Sequence, residues 1–374
     1  MSSPTTLPAP ISDDTPGHHR DHPPAQLLLS TGSGALGLLL VAGLLQNPLA
    51  RTAGLASLLP TWGLGVALVG LALLGLVTLL PGPPRLTRSA AALQVLGHLL
   101  AVSTSSLIML LGYLLAAAVP LGALVLAVLV CRRHPLARWL VLLGVAALAG
   151  WGWVTGVLAP GNVATMFARL LPAVLDRAGE QLLLLWLAFG VLVTLRVLSA
   201  ALAELPVRSV WEGWLLRHQR ALTLLAAAGP LPYVSVRATW LTPWPLGAPP
   251  DLDPAIRLWG LLLGCAGLAG SVLTVGLIRP WGSVAPRWLP AVAGRPVPVA
   301  AAVVPASTVA VALVAGAVPM VAATSTGLAG VAVWERAVFL LMFPFWLWGP
   351  ALALATWAYL LRRRDDAGDP VLAG

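Results

Sequence analysis

"SAAALQVLGHLLAVSTSSLIMLLGYLLAAAVPLGALVLAVLVC" runs from Ser89 to Cys131, with Arg85 and Arg88 before it and Arg132 and Arg133 after it. About 20 apolar helical residues cross a hydrocarbon core of about 30 Å, so this run is too long for one ordinary span. Its main interruptions are "STSS" at 103–106 and Pro120. It reads as two spans, 89–109 and 112–131, joined by a tight turn. That reading decides the fold, because it returns the chain to its starting side and keeps both arginine pairs on one face.

The same rule, applied outward, places spans at 26–46, 60–80, 138–158, 180–202, 220–241, 256–278, 298–322 and 335–361. All 22 cations are arginine. With ten spans, fifteen of them lie on one side and five on the other, while Arg196 and Arg237 fall within spans. Cytoplasmic loops carry the excess of cations, so the arrangement predicts an all-α polytopic transmembrane bundle with both termini cytoplasmic. Merging the two central spans would break the pattern.

Composition agrees. The 374 residues are 59% hydrophobic and only 9% charged, with mean hydropathy +0.90, whereas a soluble domain carries about 25% charged residues. An ordinary globular enzyme is excluded. The net charge of +9 is scattered through short loops, which fits membrane orientation and not nucleic acid. Absent lysine with abundant Ala, Gly, Pro and Arg points to a GC-rich bacterial genome, hence a bacterial plasma membrane. Cys131 and Cys265 form no disulfide or metal-knuckle pattern.

Residues 1–25 are polar and proline-rich without an early apolar core, which predicts a disordered cytoplasmic tail. His18, His19 and His22 belong to it. The bundle follows over 26–361. Residues 362–374, "RRRDDAGDPVLAG", form a short cytoplasmic tail whose arginines suit anionic headgroups, at about 1 kcal/mol each near the surface. The segments 159–179, 242–255 and 323–334 are left as outer loops.

One span is interrupted. "GPLPYVSVRATWLTPWPLG" covers Gly229 to Gly247. Pro230 and Pro232 remove two N–H donors, so the carbonyls of Ala226 and Ala228 lose their usual partners, and Gly229 adds backbone freedom. Tyr233, Arg237 and Trp240 then follow at i, i+4 and i+7, on one face. Carriers build substrate sites from such discontinuous helices. The segment equally fits a bend that packing tolerates, with Arg237 reaching the interface and Trp240 and Trp244 in an aromatic belt. Arg196, deeper in its span, has Glu204 two turns away as a candidate partner, and His98 is the one histidine within a span.

The acids argue by their positions. None falls at a predicted midplane, which disfavours a carboxylate-driven proton or sodium carrier. The first outer loop, "NPLARTAGLASLLP", lacks the acid that polyprenyl-sugar-dependent glycosyltransferases require. "STGSG" at 30–34 departs from the rhomboid order, and small residues that let helices approach explain it, "GLLLG" at 260–264 and "GWVTG" at 152–156. No HExxH, paired-carboxylate, Walker or Rossmann motif is present. The expectation is a non-enzyme without cofactor or metal.

The loop "RPWGSVAPRWLPAVAGRPVP", Arg279 to Pro298, spaces Arg279, Arg287 and Arg295 eight residues apart with Trp281 and Trp288 between them. Arginine beside tryptophan at headgroup level suits lipid phosphate, and it also serves topology and anchoring. Across Gly229 to Pro298 the sequence resembles uncharacterised multipass membrane proteins of actinobacterial type, which carry a similar G-P-x-P-Y…R-x-x-W…P-x-G segment and then R-P-W-G…P-R-W-x-P…A-G-R-x-V-P. In that type an acid often stands where Ser283 is here. The resemblance implies an integral membrane location and identifies no catalytic residue.

The functional expectation is therefore a carrier or permease-like protein for a small or lipid-like anionic molecule, with Tyr233, Arg237, Trp240 and Arg196 as its ligand-binding residues. The competing expectation is a noncatalytic scaffold or regulatory partner of another membrane protein. Membrane lipids are partners in either case.

Overall fold

Backbone polar groups in hydrocarbon must be satisfied internally, and helices do this segment by segment. A computed structural model of the chain describes residues 23–43, 59–133, 135–202, 206–249, 252–287, 289, 292–326 and 332–367. Over these it forms α1 (Pro23–Val41), α2 (Thr61–Val77), α3 (Pro84–Ala101), α4 (Ser106–Arg133), α5 (Pro135–Val154), α6 (Pro160–Leu175) and α7 (Ala178–Ala201). There follow α8 (Pro206–Ala228), α9 (Leu231–Ala238), α10 (Pro254–Val275), α11 (Val299–Thr326), α12 (Val333–Met342) and α13 (Phe345–Ala367). No strand occurs among the described residues.

Seven helical segments are long and apolar enough to cross a membrane, among them Ser106–Arg132, Val210–Leu241 and Val333–Arg364. Trp62–Val77 and Arg138–Val154 are shorter apolar helices.

The long central run does divide, but earlier than expected. α3 ends at Ala101 and α4 starts at Ser106, so the turn is 102–105 and not 110–111. The polar side chains explain the site: Thr104 Oγ1 accepts from the Ser106 amide at 3.3 Å, and Ser103 Oγ donates to the Ala315 carbonyl at 3.3 Å. Pro120 lies inside α4 without ending it.

Other boundaries also move. The expected outer loop 159–179 contains α6, and the expected single span 335–361 is two helices, α12 and α13. The expected C-terminal tail begins inside α13, which carries Arg362 to Arg364. Residues 1–22 of the expected N-terminal tail, Glu204 and Trp288 lie outside the described residues.

Small residues set the closest approaches. A Cβ at Gly37 would lie 2.6 Å from the Gly65 carbonyl oxygen, and one at Gly65 equally close to that of Gly37, so α1 and α2 touch backbone to backbone. Within "STGSG", Gly32 lies under Trp186, whose Nε1 donates to Ser33 Oγ at 3.1 Å. "GWVTG" works differently: Gly156 has φ +71° and turns the chain after α5.

α3 and α7 run antiparallel. Arg88 Nε donates to the Ala201 carbonyl at 3.0 Å, and the His98 ring fills the notch at Gly190. One apolar core joins α1, α2, α7 and α11 through Leu40, Leu68, Leu184, Leu187 and Ala312. A second joins α8, α11 and α13 through Ala226, Leu313, Ala355 and Tyr359. The second holds α8 and α13, two of the interrupted helices described next.

Candidate functional site

α8 stops at Ala228 and α9 starts at Leu231. The Gly229 amide recaptures the Ala226 carbonyl at 3.2 Å, which relieves one of the two carbonyls stranded by proline. Gly229 is buried against α13, where an added Cβ would lie 2.4 Å from Trp348 Cγ. Only glycine fits that approach without moving the indole.

A second break faces the first. α12 ends before Phe343, whose backbone (φ −121°, ψ 70°) leaves the helical region, and α13 begins after Pro344. Tyr233 of α9 meets Phe343 with ring centroids 5.4 Å apart. Phe343 in turn contacts Phe339 and Phe345, and Phe345 contacts Trp348. An aromatic row thus links the two interruptions, edge and tilted contacts predominating. The indole Nε1 of Trp348 is buried without a hydrogen-bond partner.

Arg237 stands at the far end of this row, half-buried. Its Nε donates to Tyr233 Oη at 2.9 Å, and its Cζ lies 3.9 Å from the Trp240 ring centroid and 4.9 Å from that of Tyr233. The three residues share one face, as their spacing requires. Their floor is α10: Cβ atoms at Gly260 and Gly264 would collide with Trp240 and Arg237. Arg237 forms no ion pair with a carboxylate among the described residues. Both terminal guanidinium nitrogens, Nη1 and Nη2, are without a described acceptor. Such a fork matches a carboxylate or phosphate bidentately.

Beyond Arg237 the chain is tied to α10. The buried Trp240 donates through Nε1 to the Leu246 carbonyl at 2.9 Å. Arg257 donates to the carbonyls of Trp240 and Thr242 at 2.6 and 2.8 Å. Trp151, at the end of α5, donates to the Leu241 carbonyl at 2.9 Å. Asp253 caps α10 by accepting from the Ala255 amide at 2.7 Å and also accepts from Arg169 Nη1 at 2.7 Å. The amide first, and the guanidinium second, hold the Asp253 carboxyl below the usual carboxylate range.

The other expected residues divide. Arg196 is exposed on α7, whose packing partners are α1, α3, α4 and α11, so it is not part of this site. His98 is buried with Nδ1 2.8 Å from the Gln94 carbonyl. Glu180 lies ten residues along α7 from Gly190, roughly 15 Å by helical rise, so these two do not form an acid–base pair.

The loop from Arg279 to Pro298 is a folded hairpin. Val284 and Pro296 form an antiparallel bridge, and the Ala285 amide donates to the Arg295 carbonyl at 2.9 Å. Trp281 packs onto Gly276, while Arg279, Arg287 and Arg295 are exposed. α13 fastens the hairpin. Arg362 Nη2 donates to the Leu277 carbonyl at 2.8 Å, Arg363 Nη2 to Val297 at 3.0 Å, and Tyr359 Oη to Gly282 at 2.8 Å. Arg362 and Arg363, expected to meet headgroups, are therefore engaged by protein carbonyls.

Sequence reading missed the Phe343–Pro344 break, although "MFPFWLWGP" held the signal in Pro344. Comparison with protein-family models, curated proteins and solved structures finds no match. The all-helical fold and its apolar segments define a membrane protein, and its function must be argued from side chains.

Proposed function

We propose that this chain is a bacterial plasma-membrane protein of ten spans with both termini cytoplasmic, acting as a carrier for a small or lipid-like anion. Ten follows from the seven long apolar segments, the shorter α2 and α5, and α3, with α8–α9 and α12–α13 each counted once. The arginine asymmetry supports the orientation. The observation that carries the functional reading is Arg237: a half-buried guanidinium, without a described carboxylate, at two helix interruptions packed side by side. Discontinuous helices at a shared depth are how carriers expose backbone and charge to substrate.

The test is a thermal-stability screen of purified protein against carboxylates, phosphates and anionic phospholipids, wild type beside Arg237→Ala. A ligand that binds only the folded state stabilises it by about 2.7 kcal/mol at a hundredfold excess over Kd. Stabilisation of wild type and not of the variant supports the site. Equal responses across the panel sink it and leave the scaffold reading, which the sparse burial of α4 favours.

A further inference from the structure

We propose that α6 is an interfacial helix, lying along the membrane surface on the side where α10 begins and inserting one apolar flank into that leaflet. The proposal rests on the membrane reading and not on the carrier reading. α6 has 16 residues, roughly 24 Å, which is short of the hydrocarbon core. Its middle meets the beginning of α10 and not its centre. Met166 and Val163 pack on Ala255 and Leu258 beside Val157, three residues beyond the end of α5. Arg169 reaches Asp253, the cap of α10. The end of α5, the middle of α6 and the start of α10 therefore share one level, and α7 begins only three residues after α6 ends.

The faces of α6 fit that posture. Val163 and Met166 point to α10. Phe167, Leu171 and Leu175, four residues apart and on the adjoining flank, are 54%, 59% and 61% exposed. Asn162, Thr165 and Arg169 lie on the opposite side of the helix, while Ala168 falls beside Leu171 and Leu175. An amphipathic helix with this division settles about 5–10 Å into the headgroup–acyl boundary. The one cation of α6, Arg169, is held by Asp253. Apolar area, not lipid charge, drives the insertion.

The test is nitroxide scanning. Single cysteines are placed at Ala164, Thr165, Phe167, Ala168, Arg169, Leu171 and Leu175 in full-length protein carrying Cys131→Ser and Cys265→Ala, reconstituted in phosphatidylcholine vesicles. Preserved monodispersity on gel filtration selects the folded variants, and these exposed positions tolerate the label. Oxygen should reach Phe167, Ala168, Leu171 and Leu175 best, and a water-soluble nickel chelate should reach Thr165 and Arg169 best, with a period near 3.6 residues. Adding phosphatidylglycerol should leave the pattern unchanged. Depth that increases steadily along α6 would mean a span and overturn the proposal. So would chelate access on every face, or exclusion of both reagents from the Phe167–Leu175 flank, the mark of a second copy or partner covering it. A pattern that depends on phosphatidylglycerol would overturn insertion by apolar area.

Discussion

The two sides of this bundle bury polar groups in opposite ways. Among α1, α2, α3 and α7 the helices are continuous and amides and hydroxyls tie one helix to the next, although Gln26 Oε1, His98 Nε2 and Glu180 Oε1 are buried without a hydrogen-bond partner. Gln26 Nε2 donates to Gln94 Oε1 at 2.9 Å, Gln94 Nε2 donates to the Leu71 carbonyl at 2.9 Å, and Trp186 donates to Ser33. Among α8, α9, α12 and α13 the helices break, and the main charged group, Arg237, keeps its terminal nitrogens unengaged by described acceptors. Neutral hydrogen-bonded side chains lock helices together, whereas an interrupted helix with an unneutralised guanidinium is open to a ligand. On the proposed carrier reading, one side supplies structure and the other the ligand site.

Substitutions can break that contrast. Gly37→Ala should be the most damaging, because its Cβ meets the Gly65 backbone, which cannot rotate away. Overpacking of this kind costs typically 1–3 kcal/mol, and the upper end is expected in chemical denaturation. Gly229→Ala meets the Trp348 side chain instead and should cost less. Equal losses at the two glycines would remove the distinction between the two sides.

Gln94→Leu should come next. It strands the Gln26 amide in a buried site, at about 1–3 kcal/mol, removes the second donor to the Leu71 carbonyl, and should leave ligand-induced stabilisation intact. Arg237→Lys should do the reverse, preserving the melting temperature while weakening that stabilisation, since an ammonium lacks the planar fork. A Gln94→Leu protein that loses ligand response would move the site to the other side of the bundle.

The smallest effect concerns pH. Asp253 titrates lower in the folded protein than in the unfolded chain. Its contribution is therefore fully present above the unfolded carboxylate range and disappears as pH falls through the folded value. The melting temperatures of wild type and Asp253→Asn should differ slightly at neutral pH and converge on acidification below that range. A difference that grows on acidification would contradict the capping role.

Hydropathy made the helical class legible, and paired prolines beside a glycine made the break at Gly229–Pro230 legible. The break at Pro344 was harder to see for a physical reason. Pro120, Pro172, Pro305, Pro319 and Pro350 all sit inside helices that continue, so one proline does not by itself announce an end. What distinguishes Pro344 is the departure of the Phe343 backbone, set by aromatic packing across two helices. α6 was hidden because a helix too short to span looks like a loop to a hydropathy window. Arg237, Tyr233 and Trp240 were found by spacing alone. Their glycine floor on α10 was not, since sequence does not say which helix lies beneath them.

The hairpin at 279–298 has a consequence for how the chain is made. It leaves the ribosome well before Tyr359, Arg362 and Arg363, the side chains that hold it. Until α13 inserts, the carbonyls of Leu277, Gly282 and Val297 wait without those donors. α13, made after the hairpin, is thus a keystone, and nascent chains lacking it should be recognised as unfinished by membrane quality-control proteases.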